Sequence, residues 1–379
     1  MTETSPVPSP RKRLVFRGLS LGFALGCGML LLSVAELGFR ARQRSLQSND
    51  VMDPRLIRYD ETLGWTLSPN SSGGHTNQDF GVAYEVNELG FRADSKLSND
   101  SSRPLHAFVG DSFVFGFGVQ AEDTFVHRLN QLAASRGRFI NCGVPGYSTD
   151  QEALLIEREV IKLRPDTIWL TVYLANDLLD NQFSTPMQVS HPKPYFEWVG
   201  EGLVLRNSPV PRQSTEGERG QVDLGTAILG SEHFRTSWRA RLSRRSALFR
   251  SVDDHWLPAE DVQSLLEGRI QTSIKLFLAI LDRIESVCRE QKIRLRLVVI
   301  PGRALIETPN SLPGRYQALL HQRLIAHPVL TRWQPVDLAK VLQARYDQTK
   351  QHYFFPVDGH LTPAGQAVVA EALAAAGSE

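Results

Sequence analysis

The sequence predicts an α/β protein: a doubly wound, mostly parallel five-stranded sheet, with an N-terminal transmembrane helix and an insertion after the third strand. Three observations predict this. From Leu105 onward, apolar runs of strand length alternate with stretches of helical spacing. Those runs are apolar almost continuously, as expected of strands covered on both faces. Near the N-terminus, a single long apolar segment from about Leu14 holds one acid, Glu36, close to its end.

The apolar segment over 14–40 is long enough to cross a bilayer of about 30 Å. Arg11, Lys12, Arg13 and Arg17 lie at its start, which places residues 1–13 in the cytoplasm by the positive-inside rule. Arg40, Arg42 and Arg44 at the other end oppose that orientation, but a long downstream domain translocates largely regardless of local charge. The run lacks a small-x-small cleavage site and is long for a signal peptide, so it reads as an uncleaved anchor. Residues 41–58 read as a polar stalk and 59–104 as a β-rich lead-in full of turn formers.

The α/β domain occupies 105–379. "LHAFV" is its first strand, followed by a helix at about 122–135. "RFINCGV" is the second strand, followed by a helix at 150–163. "DTIWLTVYL" is the third. Between about 182 and 260 the alternation breaks: a proline-rich stretch reads as a surface insertion or lid. It is followed by the arginine-rich "FRTSWRARLSRRSALFR", either a basic amphipathic helix at a membrane surface or a solvated charged one. A strong helix at 263–291, the strand "IRLRLVVIP", a helix near 314–326 and a short strand at "WQPVDL" resume the pattern. The chain closes with "FFPVDGHLTPAGQAVVAEALAAA", a loop entering a helix with Pro363 near its start.

With 379 residues and a net charge of +1, the chain offers no general attraction to nucleic acid. Its three cysteines are too scattered for a zinc site or a disulfide framework, and no ligand cluster calls for a metal.

Open α/β sheets place their sites at the carboxyl ends of the strands. The first strand ends in "GDSFVFGFG", where Ser112 is a candidate nucleophile. The second ends in "NCGVPGYST", where Gly146 can offer its N–H to an oxyanion or simply complete a Pro-Gly turn. The third ends in "YLANDLLDN", where Asn176 can donate its amide to the same oxyanion or cap a helix. A serine hydroxyl barely ionises at neutral pH and needs a base. His360 in "VDGHLTP" suits that role with Asp358 to orient it, although Asp, Thr362 and Pro363 are also a helix-start signal. His75, His127 and His352 lack a local acid and read as surface or structural.

"VGDSFVFGFGV", "NCGVPGYST", "LAND" and "DGHLTPAG" resemble, in order, the four blocks of the SGNH (GDSL-type) hydrolase family, whose sheet is flavodoxin-like. The lead-in "LGW…PN…NELGFR" resembles the region preceding this domain in bacterial membrane-anchored members. The resemblance implies Ser112 as nucleophile, His360 as general base with Asp358 as partner, and an oxyanion hole of Ser112 N–H, Gly146 and Asn176. It implies no cofactor. Many members place the acid three residues before the histidine, whereas here Asp358 is two before. The implied activity is hydrolysis of O-acyl, chiefly O-acetyl, esters of envelope glycans or lipids through an acyl-enzyme. The alternatives are transfer of the acyl group to a polysaccharide hydroxyl, a thioesterase or lipase with an apolar acyl groove, and a non-catalytic glycan-binding scaffold. Phe196, Trp198, Phe234 and Trp238 of the insertion are candidates to line such a groove. The implied location is a bacterial inner membrane, single-pass, with the catalytic domain on the periplasmic or extracellular side, alongside partner proteins of polysaccharide modification or export.

Overall fold

The computed structural model describes residues 10–48, 50–93, 102–187, 189, 191–200, 202–212, 242, 245–246, 248–249, 259–333 and 335–376. Helix α1 (Pro10–Ser48) contains an apolar span of 27 residues, Phe16–Arg42. At about 1.5 Å per residue the span is roughly 40 Å long, enough to cross a membrane. Its side chains find no core: Phe23 is 76% and Leu31 70% exposed. The stalk expected from residue 41 begins instead as helix, because "ARQRSLQS" is made largely of good helix formers that simply extend α1. Within α1, the Glu36 carboxylate accepts from Ser246 Oγ (2.7 Å) and Leu248 N–H (3.0 Å). That contact brings the end of the arginine-rich segment against the apolar helix; most of the segment lies outside the described residues.

Two small antiparallel sheets follow. Strands β2 (Ile57–Asp60) and β3 (Gly64–Leu67) form one; β1 (Val51–Met52), β4 (Ser72–Thr76) and β5 (Gly81–Glu85) form the other. Their inner faces, including Trp65, Leu67, Val82 and Tyr84, join the main core.

The central sheet holds β6 (Leu105–Gly110), β7 (Arg138–Gly143), β8 (Thr167–Tyr173), β11 (Arg294–Ile300) and β12 (Val336–Asp337). All its pairings are parallel, and the strand order is β12-β11-β8-β6-β7. In order of appearance this is 2-1-3-4-5, the flavodoxin-like order, whose topological switch lies between β6 and β8. The side-chain period of two explains the apolar runs. Ile168, Leu170 and Val172 of β8 enter one core, while Trp169 and Tyr173 enter the other. The first core is closed by α4 (Thr149–Arg158), α6 (Ala259–Glu290) and α8 (Leu312–Ile325). The second is closed by α3 (Phe125–Leu132), α9 (Leu338–Thr349) and α10 (Pro363–Ala376). Two short helices, α2 (Ser112–Phe115) and α5 (Asp177–Asp180), follow β6 and β8, and α7 (Arg303–Glu307) follows β11.

Two elements were not legible as such. The insertion carries a hairpin, β9 (Tyr195–Val199) and β10 (Gly202–Arg206), and α9 occupies a stretch to which the sequence reading assigns no element. Cys142 in β7 and Cys288 in α6 are both buried, and no disulfide joins them.

Candidate active site

Strand β6 ends at Gly110 and the chain turns at once into α2. Asp111 caps this helix, its Oδ1 accepting from Phe113 N–H at 2.9 Å. Ser112 is the first helical residue. The turn packs so closely on β7 that a Cβ at Gly143 would lie 2.2 Å from the Phe115 nitrogen. Glycine is therefore required there by space alone.

From the other end of the chain, the loop between α9 and α10 returns beside β6. His360 Nε2 lies 2.7 Å from Ser112 Oγ, and His360 Nδ1 lies 2.5 Å from Asp358 Oδ1. The imidazole is flanked by the rings of Phe113 (centroids 5.0 Å apart) and Phe117 (4.6 Å). Burial alone would raise the Asp358 carboxyl, but the charge and hydrogen bonds of His360 outweigh it and hold it below the ordinary Asp range. Asp358 is thus an ionised partner able to stabilise an imidazolium.

Strand β7 runs into the Pro145–Gly146 turn. Gly146 has φ +81°, and Val189 Cγ2 would sit 2.4 Å from an added Cβ. Trp65 fixes the turn from the lead-in, donating its indole N–H to Pro145 O at 3.0 Å, while Tyr147 Oη donates to Trp65 O at 2.5 Å. Gly146→Ala should destabilise the protein by about 1–3 kcal/mol from backbone strain alone, with the Val189 clash in addition. Urea denaturation of the full chain in detergent measures this; an unchanged midpoint would mean the turn relaxes freely.

Ser112, Gly146, Asp358 and His360 line one cavity of about 450 Å³, joined by Trp65, Phe117 and the insertion residues Val189 and His191. The segment just after α1 contributes Asp50, Met52, Pro54 and Ile57 to the same wall. Asn176 is not part of that wall. It sits buried at the start of α5, one amide N–H donated to Asp180 Oδ2 at 3.1 Å, its Oδ1 without a hydrogen-bond partner among the described residues. Phe196 is buried under Arg283, and Trp198 lies beneath Lys275, both away from the cavity. Phe234 and Trp238 fall outside the described residues.

Beneath the site lies a buried set of acids that sequence reading missed. Asp111, Glu152 and Asp177 are each fully buried, and burial followed by their mutual repulsion pushes Glu152 and Asp177 well above the carboxyl range. Asp111 rises for the same first reason, with the Phe113 N–H and the charge of His360 pulling back. A carboxyl whose folded pKa stands above its unfolded one takes up a proton on folding. Its contribution therefore falls as pH climbs from the ordinary Glu range towards the raised value. Glu152→Gln removes that loss. It should gain stability relative to wild type at about pH 8 but not at about pH 4, below both pKa values, as read from urea midpoints at the two pH values. An equal change at both would show that Glu152 ionises normally. Nearby, Lys193 and Asp150, both wholly buried, form an ion pair between the insertion and the start of α4.

No protein-family profile matches the chain, and no curated protein matches it. Among solved structures it is similar to the acetyl xylan esterase AlAXEase, at 12% identity over 72% of this chain and 98% of the other, with a TM-score of 0.36. It is similar also to a member of the lipolytic protein G-D-S-L family from Veillonella parvula DSM 2008, at 12% identity over 71% of this chain and 94% of the other, with a TM-score of 0.35. A third is the lipase Lip_vut3 from a goat rumen metagenome, at 15% identity over 72% of this chain and 97% of the other, with a TM-score of 0.41.

Proposed function

We propose that this chain is a membrane-anchored serine esterase of the SGNH (GDSL-type) family that cleaves short O-acyl esters. The observation that carries the reading is the line of contacts from Ser112 Oγ through both nitrogens of His360 to Asp358, at the carboxyl edge of the sheet. Ser112 Oγ attacks the ester carbonyl as its proton passes to His360 Nε2. Asp358 holds Nδ1–H and stabilises the imidazolium. Backbone N–H groups of Ser112 and Gly146 donate to the developing oxyanion, an interaction whose loss typically slows such a step by roughly 10²–10³. Asn176 joins them only if its side chain turns from Asp180 towards the cavity. His360 then protonates the departing alcohol, and a water deprotonated by the same imidazole releases the acid from Ser112.

The cavity, at about 450 Å³, has room for an acyl ester and part of its alcohol, and the choice of a short acyl group comes from the family resemblance. With α1 as the anchor and the Arg11–Arg17 cluster on the cytoplasmic side, we take the substrate to be an acylated glycan or lipid of the envelope. Transfer to a sugar hydroxyl would use the same acyl-enzyme and differ only in the acceptor.

The test is turnover of p-nitrophenyl acetate against a long-chain p-nitrophenyl ester by the full chain in detergent. Mass spectrometry of the Ser112 peptide during turnover accompanies it. Preference for the short ester with an acyl adduct on Ser112 supports the reading. Preference for the long ester moves it to a lipase, and turnover without an adduct on Ser112 removes the covalent mechanism.

A further inference from the structure

The lead-in does more than precede the α/β domain. The turn joining β4 to β5 reaches the loop that carries Asp358, 279 residues further along the chain. Asp79 Oδ2 accepts from the backbone N–H groups of both Val357 (2.8 Å) and Asp358 (2.7 Å). Asn77 Nδ2 donates to Asp358 Oδ2 at 3.3 Å, the carboxylate oxygen that His360 does not use. The turn is itself rigid: Asn77 Oδ1 accepts from Asp79 N–H (2.9 Å) and Phe80 N–H (3.1 Å). Phe80 packs its ring on Phe355 at 5.2 Å, just ahead of the acid.

The same lead-in grips the nucleophile's loop. Arg92, the last residue of "NELGFR", is 1% exposed and donates to the carbonyls of Phe115, Gly116 and Val119 at 2.7–2.9 Å. Its guanidinium lies over the rings of both Tyr84 and Phe115, at 4.6 and 4.7 Å from their centroids. Tyr84 Oη accepts from Gly118 N–H at 2.8 Å. One segment therefore holds both loops whose separation decides whether His360 meets Ser112.

We propose that Asp79 and Asn77 are positioning residues for the catalytic acid: they fix the backbone and free oxygen of Asp358, and through it the imidazole of His360. The proposal rests on the esterase reading for the word catalytic, and on geometry alone for the positioning. Asp79 acts through its oxygen as an acceptor of two backbone N–H bonds, so an amide oxygen in its place can serve while a methyl group cannot.

The test uses the full chain in detergent. Asp79→Ala should lower kcat about 10- to 100-fold, the scale of a misplacement near 1 Å, and leave KM unchanged. Asp79→Asn should restore most of the loss, and Asn77→Ala should give a smaller loss in kcat. A second readout needs no turnover: the Nδ1–H proton shared by His360 and Asp358 should give a downfield proton resonance, absent in His360→Ala. That resonance should persist in Asp79→Asn and broaden in Asp79→Ala. If wild type shows the resonance but no Ser112-dependent hydrolysis, the esterase reading fails while the resonance still decides the positioning. Wild-type kcat in an active Asp79→Ala enzyme, an unchanged resonance in Asp79→Ala, or no such resonance in wild type would each overturn the proposal.

Discussion

Ser112→Ala should reduce ester hydrolysis by roughly 10⁴–10⁶, because the covalent route disappears while the oxyanion donors and cavity remain. Ser112 is 4% exposed and small, so alanine occupies its place without a cavity or a clash. The melting temperature should therefore hold, which separates loss of chemistry from loss of fold. His360→Ala should cost a similar factor, and the double variant little more than either single one, since the two act as a unit. The measurement is initial rate with p-nitrophenyl acetate under saturating ester. A Ser112→Ala protein that turns over at the wild-type rate ends the serine mechanism.

The largest stability effect should come from a residue with no part in bond making. Lys193→Met leaves Asp150 as a buried carboxylate without its cation, a change that typically costs about 3–5 kcal/mol. Among the described residues, Asp150 keeps Ser148 Oγ (2.9 Å) and Gln151 N–H (2.7 Å) as donors to the oxygen that Lys193 does not use. Adding Asp150→Asn to Lys193→Met removes the stranded charge and should recover much of the loss; urea midpoints of the three proteins report it. A Lys193→Met protein as stable as wild type would mean that the buried pair contributes nothing net to the fold. Because Lys193 pins the insertion beside the Gly146 turn, the single variant should also lose esterase rate as Val189 and His191 shift.

Much of the core was legible because burial on both faces writes itself into composition. β6, β7, β8 and β11 read as strands since both of their alternating sets of side chains are apolar. Ser112, Gly146, Asp358 and His360 were legible because each lies in a loop, turn or short helix at the carboxyl edge of the sheet, within four short blocks that resemble one family in order. Helix α9 was not, since "LAKVLQARYDQT" presents few buried positions, Leu338, Ala339 and Leu342, within a polar stretch. Contacts such as Lys193 with Asp150, Asp79 with the Asp358 loop and Arg92 with the Ser112 loop leave no local trace. Each partner alone looks like an ordinary surface charge or turn residue, and only the fold brings them together. Asn176 marks the opposite limit: it follows β8 closely, and nothing in the sequence signals that its amide donates to Asp180.

Asp50 stands on the cavity wall two residues after α1 ends, held there by His75 Nε2 at 2.7 Å. Even fully extended, the chain from Arg42 to Asp50 spans only roughly 28 Å. With α1 in a bilayer, the cavity that holds Ser112 and His360 is leashed to a thin layer above the lipid headgroups. Under the proposed esterase reading, esters fixed to the same membrane would meet the cavity at a high local concentration, while dissolved ones would reach it by diffusion to the surface. Under that reading, a polymer longer than the leash would be processed only along the stretch that grazes the surface, so modification would follow the contour of the membrane as the polymer passes.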